Sequence, residues 1–399
     1  MPPTCSPSSQ RVSFLADSAQ FSSVRTQWEN PHDILSILMI IGGDIVQRAV
    51  AQLAGSRFSF TPVAFSFGWV AYSINAVCSA IGDGRLMPAV EGSFMLVNAK
   101  NGYTRTIQSW VLARLVRDHR SHEGGKHSLS IFFYRTSSTR PIGVTDTDWV
   151  YCSGVAVMIV QAGIAVIPGV LHDNWVTLIL TLTGTVLALV GGAWPQWYAE
   201  KWSARPLLPG NKKGEVVILT RGNGSKEAIV IINEHGGLRL EDLAAERDVR
   251  SQCTIIFTSL LAVLWIVHLL VVASLQNDAW YLLAVGALGM TQNIVAAGAR
   301  RSPGALGIHL EKGEVVHKEK VFLTLQAAEA RQRHVGLSLL PIFFPGGLRK
   351  EEEDWRQSKL AEYDENRSIL GSVAMPVIES DTDEKDDVFT SVNSSPADN

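Results

Sequence analysis

The chain has 399 residues, of which 46% are apolar and only 18% are charged, and its formal net charge is −3. Ordinary soluble domains carry roughly 25% charged residues, so this composition argues against a string of soluble domains. The near-neutral charge gives no support to a nucleic-acid partner. Charge is nearly absent from six long apolar stretches and concentrated between them, which predicts a membrane protein.

The six apolar stretches have the length that a membrane-spanning helix requires. A bilayer core about 30 Å thick needs about 20 residues of helix, whereas helices of soluble proteins average roughly 11 residues. The predicted fold class is an all-α polytopic membrane protein with six transmembrane helices and small cytosolic α/β elements. The predicted spans are 33–54, 61–82, 150–171, 174–194, 253–275 and 279–299.

The spacing of the spans predicts three antiparallel hairpins, because tight turns separate the spans within each pair and long polar connections join the pairs. The chain then divides into parts with different expected environments. These parts are a cytosolic N-terminal tail (1–32), a first hairpin (33–82), a loop with an amphipathic helix (83–149), a second hairpin (150–194), a β-hairpin and helix module (195–252), a third hairpin (253–299), a segment packed on the membrane domain (300–356) and a disordered acidic tail (357–399).

Basic residues determine the predicted orientation. Nearly all Lys and Arg lie in the tails and long connections, and cytoplasmic loops of membrane proteins are enriched in these residues. We therefore expect an integral, multi-pass protein with both termini in the cytoplasm and the three tight turns outside. The basic residues next to predicted span ends are Arg85, Arg140, Lys201, Arg205, Arg247, Arg250, Arg300 and Arg301.

The first span carries two charged residues, Asp44 and Arg48, which share a helix face and can form an intrahelical pair. Ionisable groups at membrane depth cost roughly 2.5–3.5 kcal/mol each on insertion scales and often mark ion or proton pathways. The alternative is that the two charges neutralise each other and fix helix packing. His268 in the fifth span is a third intramembrane polar candidate. The amides expected to line the same interior are Gln47, Asn75, Gln161, Gln292 and Asn293.

The first long connection contains a basic amphipathic helix over 103–120, in which Ile107, Trp110 and Leu115 recur at helical spacing among arginines. Such a helix either lies on the anionic cytoplasmic leaflet or packs on the protein's own cytosolic face. Both alternatives fit the sequence equally well.

Three histidines, His119, His122 and His127, crowd the end of this predicted helix. A zinc-binding helix needs two histidines four residues apart, whereas five positions separate His122 from His127. Gly124 and Gly125 also disfavour a helix here. We therefore predict a solvated loop without a metal site.

The second long connection contains a predicted β-hairpin. β-Branched runs at 215–220 and 228–232 flank an Asn-Gly turn, and a helix at about 240–250 follows. Gly222 and Gly224 lack the third glycine of a dinucleotide-binding fingerprint. A turn explains both glycines, and no cofactor is expected.

The region after the last span divides in two. A strand-like run at 305–310, a helix at about 318–333 and the apolar run 339–348 are expected to pack on the membrane domain. From 357 onward the chain is polar, acidic and serine-rich, which is typical of disorder.

The sequence contains no catalytic motif, no paired-carboxylate arrangement and no metal-ligand spacing, so neither catalytic residues nor a metal site is predicted. Three cysteines lie near predicted cytoplasmic span ends, where thiols are targets of palmitoylation. These candidate lipidation sites are Cys78, Cys152 and Cys253.

Several stretches of the chain are distinctive in combination. They are NPHDILSILMIIGGDIVQRAVAQLAG, FTPVAFSFGWVAYS, SAIGDGRLMP, VNAKNGYTRTIQSWVLARLVRD, LTRGNGSKEAIVII and LSLLPIFFPGGLRKEEEDW. Together they resemble a group of multi-pass integral membrane proteins of filamentous fungi that has no assigned biochemical activity. The resemblance covers roughly residues 28–356 and implies a membrane location and a fungal source. It transfers no catalytic residues, but some fungal membrane proteins of this kind belong to specialised-metabolite gene clusters.

Two functions follow from these features. The first is a non-enzymatic membrane scaffold or accessory factor with protein partners at the cytosolic loops and the C-terminal region, and the resemblance implies a role in a specialised-metabolite pathway. The second is a small-solute or proton transporter that uses Asp44 and Arg48, although neither an inverted repeat nor a Gly/Pro-broken helix pair is detected. A membrane-embedded enzyme ranks third, because only Asp44 and His268 could supply chemistry inside the bilayer.

Overall fold

In the computed structural model the chain forms two units, Met1–Pro345 and Gly346–Asn399. The predicted N-terminal tail, residues 33–41 of the first predicted span, His122 and His127 lie outside the described residues. The structure describes residues 42–55, 60–119, 128–207, 214–234, 237–247, 249–275 and 277–373, with side chains through residue 364.

Helices and strands alternate along the described chain. The helices are α1 (Gly43–Leu53), α2 (Trp69–Gly82), α3 (Trp110–Asp118), α4 (Trp149–His172), α5 (Val176–Gly192), α6 (Pro195–Lys201), α7 (Leu240–Ala245), α8 (Gln252–Ala273), α9 (Ala279–Gly298), α10 (Val321–Arg331), α11 (Val335–Phe343) and α12 (Lys350–Val373). The strands are β1 (Met95–Asn98), β2 (Thr104–Thr106), β3 (Ser130–Thr136), β4 (Pro206–Leu207), β5 (Glu215–Thr220), β6 (Glu227–Asn233), β7 (Gly237–Leu238) and β8 (Leu310–His317). Helix α12 belongs to the second unit and all other elements belong to the first.

Among the described residues, four helical stretches are long and apolar enough to cross a membrane. They are α4, α8, α9 and the stretch Val176–Lys201 that contains α5 and α6. These four coincide with the third to sixth predicted spans. Local sequence explains their ends: the Asp148 side chain accepts a hydrogen bond from the backbone N–H of Tyr151 and caps the start of α4.

The turns after α4 and α8 lie together at one end of this helical bundle. The Asp278 carboxylate contacts His172 Nδ1 and accepts a hydrogen bond from Asn174 Nδ2, both at 2.9 Å. At the opposite end, α4 begins at Trp149 and α8 begins at Gln252. The main β-sheet, described below, lies at this end, which is called the sheet end.

The second predicted span is not a continuous helix, because residues 60–68 are non-helical and only α2 is helical. The Trp69 ring at the start of α2 stacks on Trp265, which lies about 20 Å along α8 from the sheet end. The last carbonyl of α2, that of Gly82, accepts a hydrogen bond from Arg250 at the sheet end. Residues 60–82 therefore enter and leave the bundle at the same end.

The non-helical residues 60–68, called the extended leg, are held by side-chain amides of neighbouring helices. Gln161 Nε2 donates to the Phe65 carbonyl at 2.7 Å, and Asn293 Nδ2 donates to the Ala64 carbonyl at 3.1 Å. Pro62 has no backbone N–H to satisfy. Backbone outside a helix is tolerated at membrane depth only where protein surrounds it and its polar groups are paired, and these contacts meet that requirement.

Glycines allow the extended leg to lie against the long helices. A Cβ atom at Gly154 of α4 would overlap the Pro62 carbonyl oxygen, and one at Gly289 of α9 would overlap the Phe65 carbonyl oxygen. Small residues at such positions permit close backbone approach in membrane helix packing.

The predicted turn between the first two spans was expected outside, but Gly55 lies at the sheet end. The Gly55 carbonyl accepts a hydrogen bond from Trp202 Nε1 at 2.9 Å, and the neighbouring Ala54 carbonyl accepts one from Lys201 Nζ at 2.7 Å. The prediction that the three tight turns share one side was therefore wrong, because Gly55 lies at the opposite end of the bundle from the turns after α4 and α8 and is held there by side chains distant in the sequence.

The elements outside the four long apolar helices form a larger structure than the small hairpin module that the sequence predicts. Strands from the two long connections and from the region after α9 form one six-stranded sheet of order β2-β1-β5-β6-β3-β8. Neighbouring strands are antiparallel except for the parallel pair β3 and β6. The two predicted strands are present as β5 and β6. Strands β1, β2 and β3 were not predicted, so the label all-α does not describe the first unit.

Helices cover both faces of the sheet. Val217 and Ile231 pack on one face in a core shared with α3 and α7, whereas the alternate residues Ile218 and Val230 are fully buried on the other face, where α10 and α11 contact the strands. Helix α3 is the core of the predicted amphipathic helix, and eight of its nine residues are buried. Packing of α3 on the protein itself is therefore the alternative that the structure supports.

The C-terminal region differs from prediction at two places. The strand expected at 305–310 is β8, which begins at Leu310, and the disorder expected from 357 onward does not hold over 357–373 because α12 continues to Val373. Residues 374–399 lie outside the described residues.

Candidate functional site

Cationic side chains bind the ends of the helices that terminate at the sheet end. Lys201 Nζ donates to two carbonyls at the end of α1 at 2.7 and 3.1 Å, and Arg250 donates to the last carbonyl of α2 at 2.7 Å. Arg114 of α3 donates to carbonyls at the end of α9 at 3.0 and 3.1 Å. Because the C-terminal end of a helix carries partial negative charge, these cations join the bundle to the sheet layer.

Arg301 is the most heavily bonded residue of this junction. Its guanidinium forms a bidentate pair with Asp148 at 2.7 and 2.8 Å and donates to the Gln52 carbonyl at 2.7 Å. Its backbone N–H donates to the Asp118 carboxylate. Arg301 therefore connects α1, α3 and α4. It is largely buried, with 6% of its surface exposed.

Beside this junction lies a cleft of about 620 Å³, called the charged cleft. One face of α1 supplies Asp44 with Gln47 and Arg48, which follow it by three and four residues and therefore lie beside it on the helix surface. The end of α2 and the loop that follows supply Asp83 and Arg85. The remaining wall comes from the loop 87–92, the residues after β2 and Glu246 after α7.

The arginines of the cleft are each held by one carboxylate. Arg48 Nη1 lies 2.7 Å from Glu91 Oε1, and Arg85 Nη1 lies 3.1 Å from Glu246 Oε2. The expected Arg48 pair with Asp44 is not among the contacts of the described residues. Asp44 and Arg48 are both exposed to the cleft and do not point into the packed interior of the bundle.

Glu246 is the carboxyl group of the cleft whose ionisation is most perturbed. Its side chain is only 9% exposed, and burial raises its pKa from 4.5 to about 7, with the nearby Glu200 carboxylate contributing and Arg85 opposing. Its φ of 48° places the residue in the left-handed region, which is uncommon for a residue with a side chain.

Glu246→Gln is expected to change how stability depends on pH. Between pH 4.5 and about 7 the folded protein retains a proton on Glu246 that the unfolded chain loses, so this group lowers stability as pH rises through that window. The effect corresponds to about 3 kcal/mol. The thermal midpoint of the variant relative to wild type should rise from pH 5 to pH 8 in detergent.

Glu311→Gln provides the matched control, because Glu311 is an exposed glutamate on β8. Its midpoint relative to wild type should be the same at pH 5 and pH 8. If the thermal midpoints of Glu246→Gln and wild type differ by the same amount at pH 5 and pH 8, the raised pKa assigned to Glu246 is contradicted.

The structure separates the predicted intramembrane polar residues. Gln161 and Asn293 hold the extended leg, as described, and Gln292 Nε2 donates to a serine hydroxyl of α4. His268 is 4% exposed, and its ring lies edge-on to aromatic rings of the bundle at 5.5 Å. Asn75 is exposed. These residues do not converge with the charged cleft.

The three candidate lipidation cysteines, Cys78, Cys152 and Cys253, are exposed free thiols. Cys152 and Cys253 lie in the first turns of α4 and α8, at the sheet end of the bundle. Their lipidation stays a prediction.

His119 was expected in a solvated loop but has a side chain that is only 7% exposed. Its Nδ1 lies 3.2 Å from Glu227 Oε2, and its Nε2 lies 3.0 Å from the Tyr134 hydroxyl. Burial, together with the Glu227 carboxylate, raises the pKa of Tyr134, which disfavours a phenolate nucleophile. We therefore interpret the contacts of His119 with Glu227 and Tyr134 as a structural link between α3, β3 and β6. The sequence spacing contained no signal for it.

Across the described ranges, no group of three or more His, Cys, Asp or Glu side chains is arranged to hold a metal ion. No family model matches the chain, no curated protein matches it, and no solved structure matches its fold. The resemblance to fungal membrane proteins therefore stays a prediction, and function has to be inferred from the geometry.

Proposed function

We propose that this protein is a non-enzymatic membrane scaffold or accessory factor. In this proposal the long helices anchor it in a bilayer, and the sheet with its covering helices presents a binding surface at the membrane. The observation that carries the proposal is the junction at the sheet end, where Arg114, Lys201, Arg250 and Arg301 tie the helix ends to the sheet layer. Such a junction suits a surface that is held at a constant position above the lipid.

The topology proposed for this scaffold has the sheet on the cytoplasmic side. The basic residues at the sheet end support this orientation through the positive-inside tendency. Helices α4, α8, α9 and the stretch containing α5 cross the membrane in this arrangement, and residues 60–82 form a re-entrant segment.

The alternative function, transport through Asp44 and Arg48, has weaker support. Arg48 is already paired with Glu91, and the interior of the bundle is filled by Phe65, Trp69 and Trp265, which are fully buried. A transport route would have to pass these stacked rings. Asp44→Asn tests this alternative, because unchanged solute or proton flux in proteoliposomes would remove it.

Helix α12 is the element best suited to bind a protein partner. It forms a separate unit, its first turn contains Glu351, Glu352 and Glu353, and most of its described side chains are exposed. A helix that is polar on nearly all sides is stabilised by its own ion pairs, such as Lys359–Glu362, or by a partner.

The scaffold proposal is tested by comparing the full chain with a chain that ends at Pro345. We expect a protein that co-purifies stoichiometrically with the full chain to decrease at least about tenfold with the shorter chain, a difference of about 1.4 kcal/mol. Quantitative mass spectrometry of the purified complexes measures this. The Asp44→Asn full chain is the control and should retain the partner.

Two further measurements make the outcome unambiguous. The shorter chain should unfold at the same temperature as the full chain, since α12 is not part of the first unit. Absence of any stoichiometric partner from the full chain, combined with loss of flux in Asp44→Asn, would overturn the scaffold in favour of transport.

A further inference from the structure

We propose that the charged cleft binds a small organic zwitterion that carries a primary ammonium group and a phosphate or carboxylate group. The cleft contains both signs of charge: Asp44 and Asp83 are carboxylates, and Arg48 and Arg85 are guanidinium groups. This site is separate from the scaffold function, and failure of one proposal leaves the other standing.

The cationic end of the ligand is expected at Asp44 and Asp83. Both residues are exposed, and neither has an ion-pair partner among the described residues. Asp83 directly follows α2, and the C-terminal end of a helix carries partial negative charge. A carboxylate at that end lies in an unfavourable potential, so a bound ammonium group relieves the repulsion and satisfies its own three N–H donors.

The anionic end of the ligand is expected at Arg48 and Arg85. Each guanidinium has five N–H donors, and the contacts with Glu91 and Glu246 occupy one nitrogen of each. The side chains are 47% and 38% exposed, so further donors face the cleft. The carboxylate partners fix the guanidinium groups in place, which reduces the entropy lost when an anion binds.

The size and lining of the cleft agree with a small ligand. A volume of about 620 Å³ lies within the range of about 300–1,000 Å³ typical of small-molecule sites. Met87, Pro88, Val90 and Ile107 supply an apolar wall between the charged groups. An ammonium and an anion joined by a short aliphatic linker match this arrangement of charge and apolar surface.

Two sources can supply this chemistry. One is a soluble zwitterion, and the other is the phosphoethanolamine headgroup of a phospholipid, since the cleft lies beside the helix ends where lipid headgroups are expected. Both sources present a primary ammonium group and a phosphate. A quaternary ammonium group cannot donate hydrogen bonds to Asp44 and Asp83, so phosphocholine is a matched probe that lacks the decisive interaction.

The test uses the full chain in phosphatidylcholine nanodiscs and isothermal titration calorimetry. Phosphoethanolamine should bind at least about tenfold more tightly than ethanolamine, inorganic phosphate or phosphocholine, because only it engages both ends of the cleft. Asp44→Asn and Arg48→Gln should each weaken its binding about tenfold. Arg140→Gln, which removes an exposed ion pair with Asp146 outside the cleft, should leave binding unchanged.

The second arm distinguishes the lipid source. The protein is purified from mixed phosphatidylethanolamine and phosphatidylcholine bilayers, and the retained lipids are quantified by mass spectrometry. Selective retention of phosphatidylethanolamine by wild type, but not by Asp44→Asn, together with weak binding of free phosphoethanolamine, assigns the site to a headgroup. Equal binding of the zwitterion and its separate halves, combined with identical lipid retention by wild type and Asp44→Asn, would overturn the proposal.

Discussion

Gly289→Ala is expected to destabilise the protein by about 3 kcal/mol or more, because the added methyl group has no space. The Cβ atom would overlap the carbonyl oxygen of Phe65. That oxygen accepts the hydrogen bond from Gln161 Nε2, so moving the extended leg away would also break a buried hydrogen bond. The affected atoms belong to backbone and cannot rotate aside like a flexible side chain.

Gly163→Ala is the matched control for this variant. Gly163 also lies within a long apolar helix, but it is exposed and a Cβ atom there meets no atom within 4 Å. Alanine forms helix more readily than glycine by up to about 1 kcal/mol, so this variant should be neutral or slightly stabilised. Only Gly289→Ala is therefore expected to lower the stability.

Thermal unfolding of both variants in the same detergent, followed by tryptophan fluorescence, measures the difference. A Gly289→Ala midpoint at or above the wild-type value would show that the extended leg does not lie against α9. Equal losses in both variants would point instead to a general intolerance of alanine in these helices, and would also contradict the expectation.

Arg301→Gln is the second change with a large expected effect, about 3–5 kcal/mol. The substitution leaves the Asp148 carboxylate, whose side chain is only 15% exposed, without its bidentate partner. It also removes the donor to the Gln52 carbonyl. Breaking a buried ion pair by removing one partner is costly because the remaining charge stays in a poorly solvated place.

The neighbouring Arg300 offers a control of the same residue type. Arg300 is exposed, and surface substitutions of this kind change stability by about 0.5 kcal/mol or less. Chemical or thermal unfolding should therefore separate Arg301→Gln from Arg300→Gln by several kcal/mol. Similar small losses in both variants would refute the assigned role of Arg301 in joining α1, α3 and α4.

The candidate site could be predicted from the sequence only in part. Asp44 and Arg48 were singled out because charge is rare in an apolar stretch, and both line the charged cleft. Their surroundings were not predictable. Arg48 pairs with Glu91 and the cleft includes Glu246, and these partners come from parts of the chain whose proximity no local pattern encodes.

The extended leg illustrates the same limit in the fold. Residues 61–82 satisfy every criterion of length and hydropathy for a spanning helix, yet only Trp69–Gly82 is helical. Pro62 and Gly68 were local signs of a break. The deciding interactions are the amides of Gln161 and Asn293, which are 96 and 229 positions away from the carbonyls they bind.

By itself the sequence determined the membrane class, the four long apolar helices and the strands β5 and β6, because hydropathy, helix length and β-branched runs act between residues close together in the chain. The tertiary structure alone decided that two long connections and the region after α9 build one six-stranded sheet, that α3 packs inside the protein, and that residues 60–82 return to the end where they enter. These features depend on hydrogen bonds and ion pairs between distant segments. Backbone and charged groups that leave water must find partners, and only folding determines which partners lie within reach.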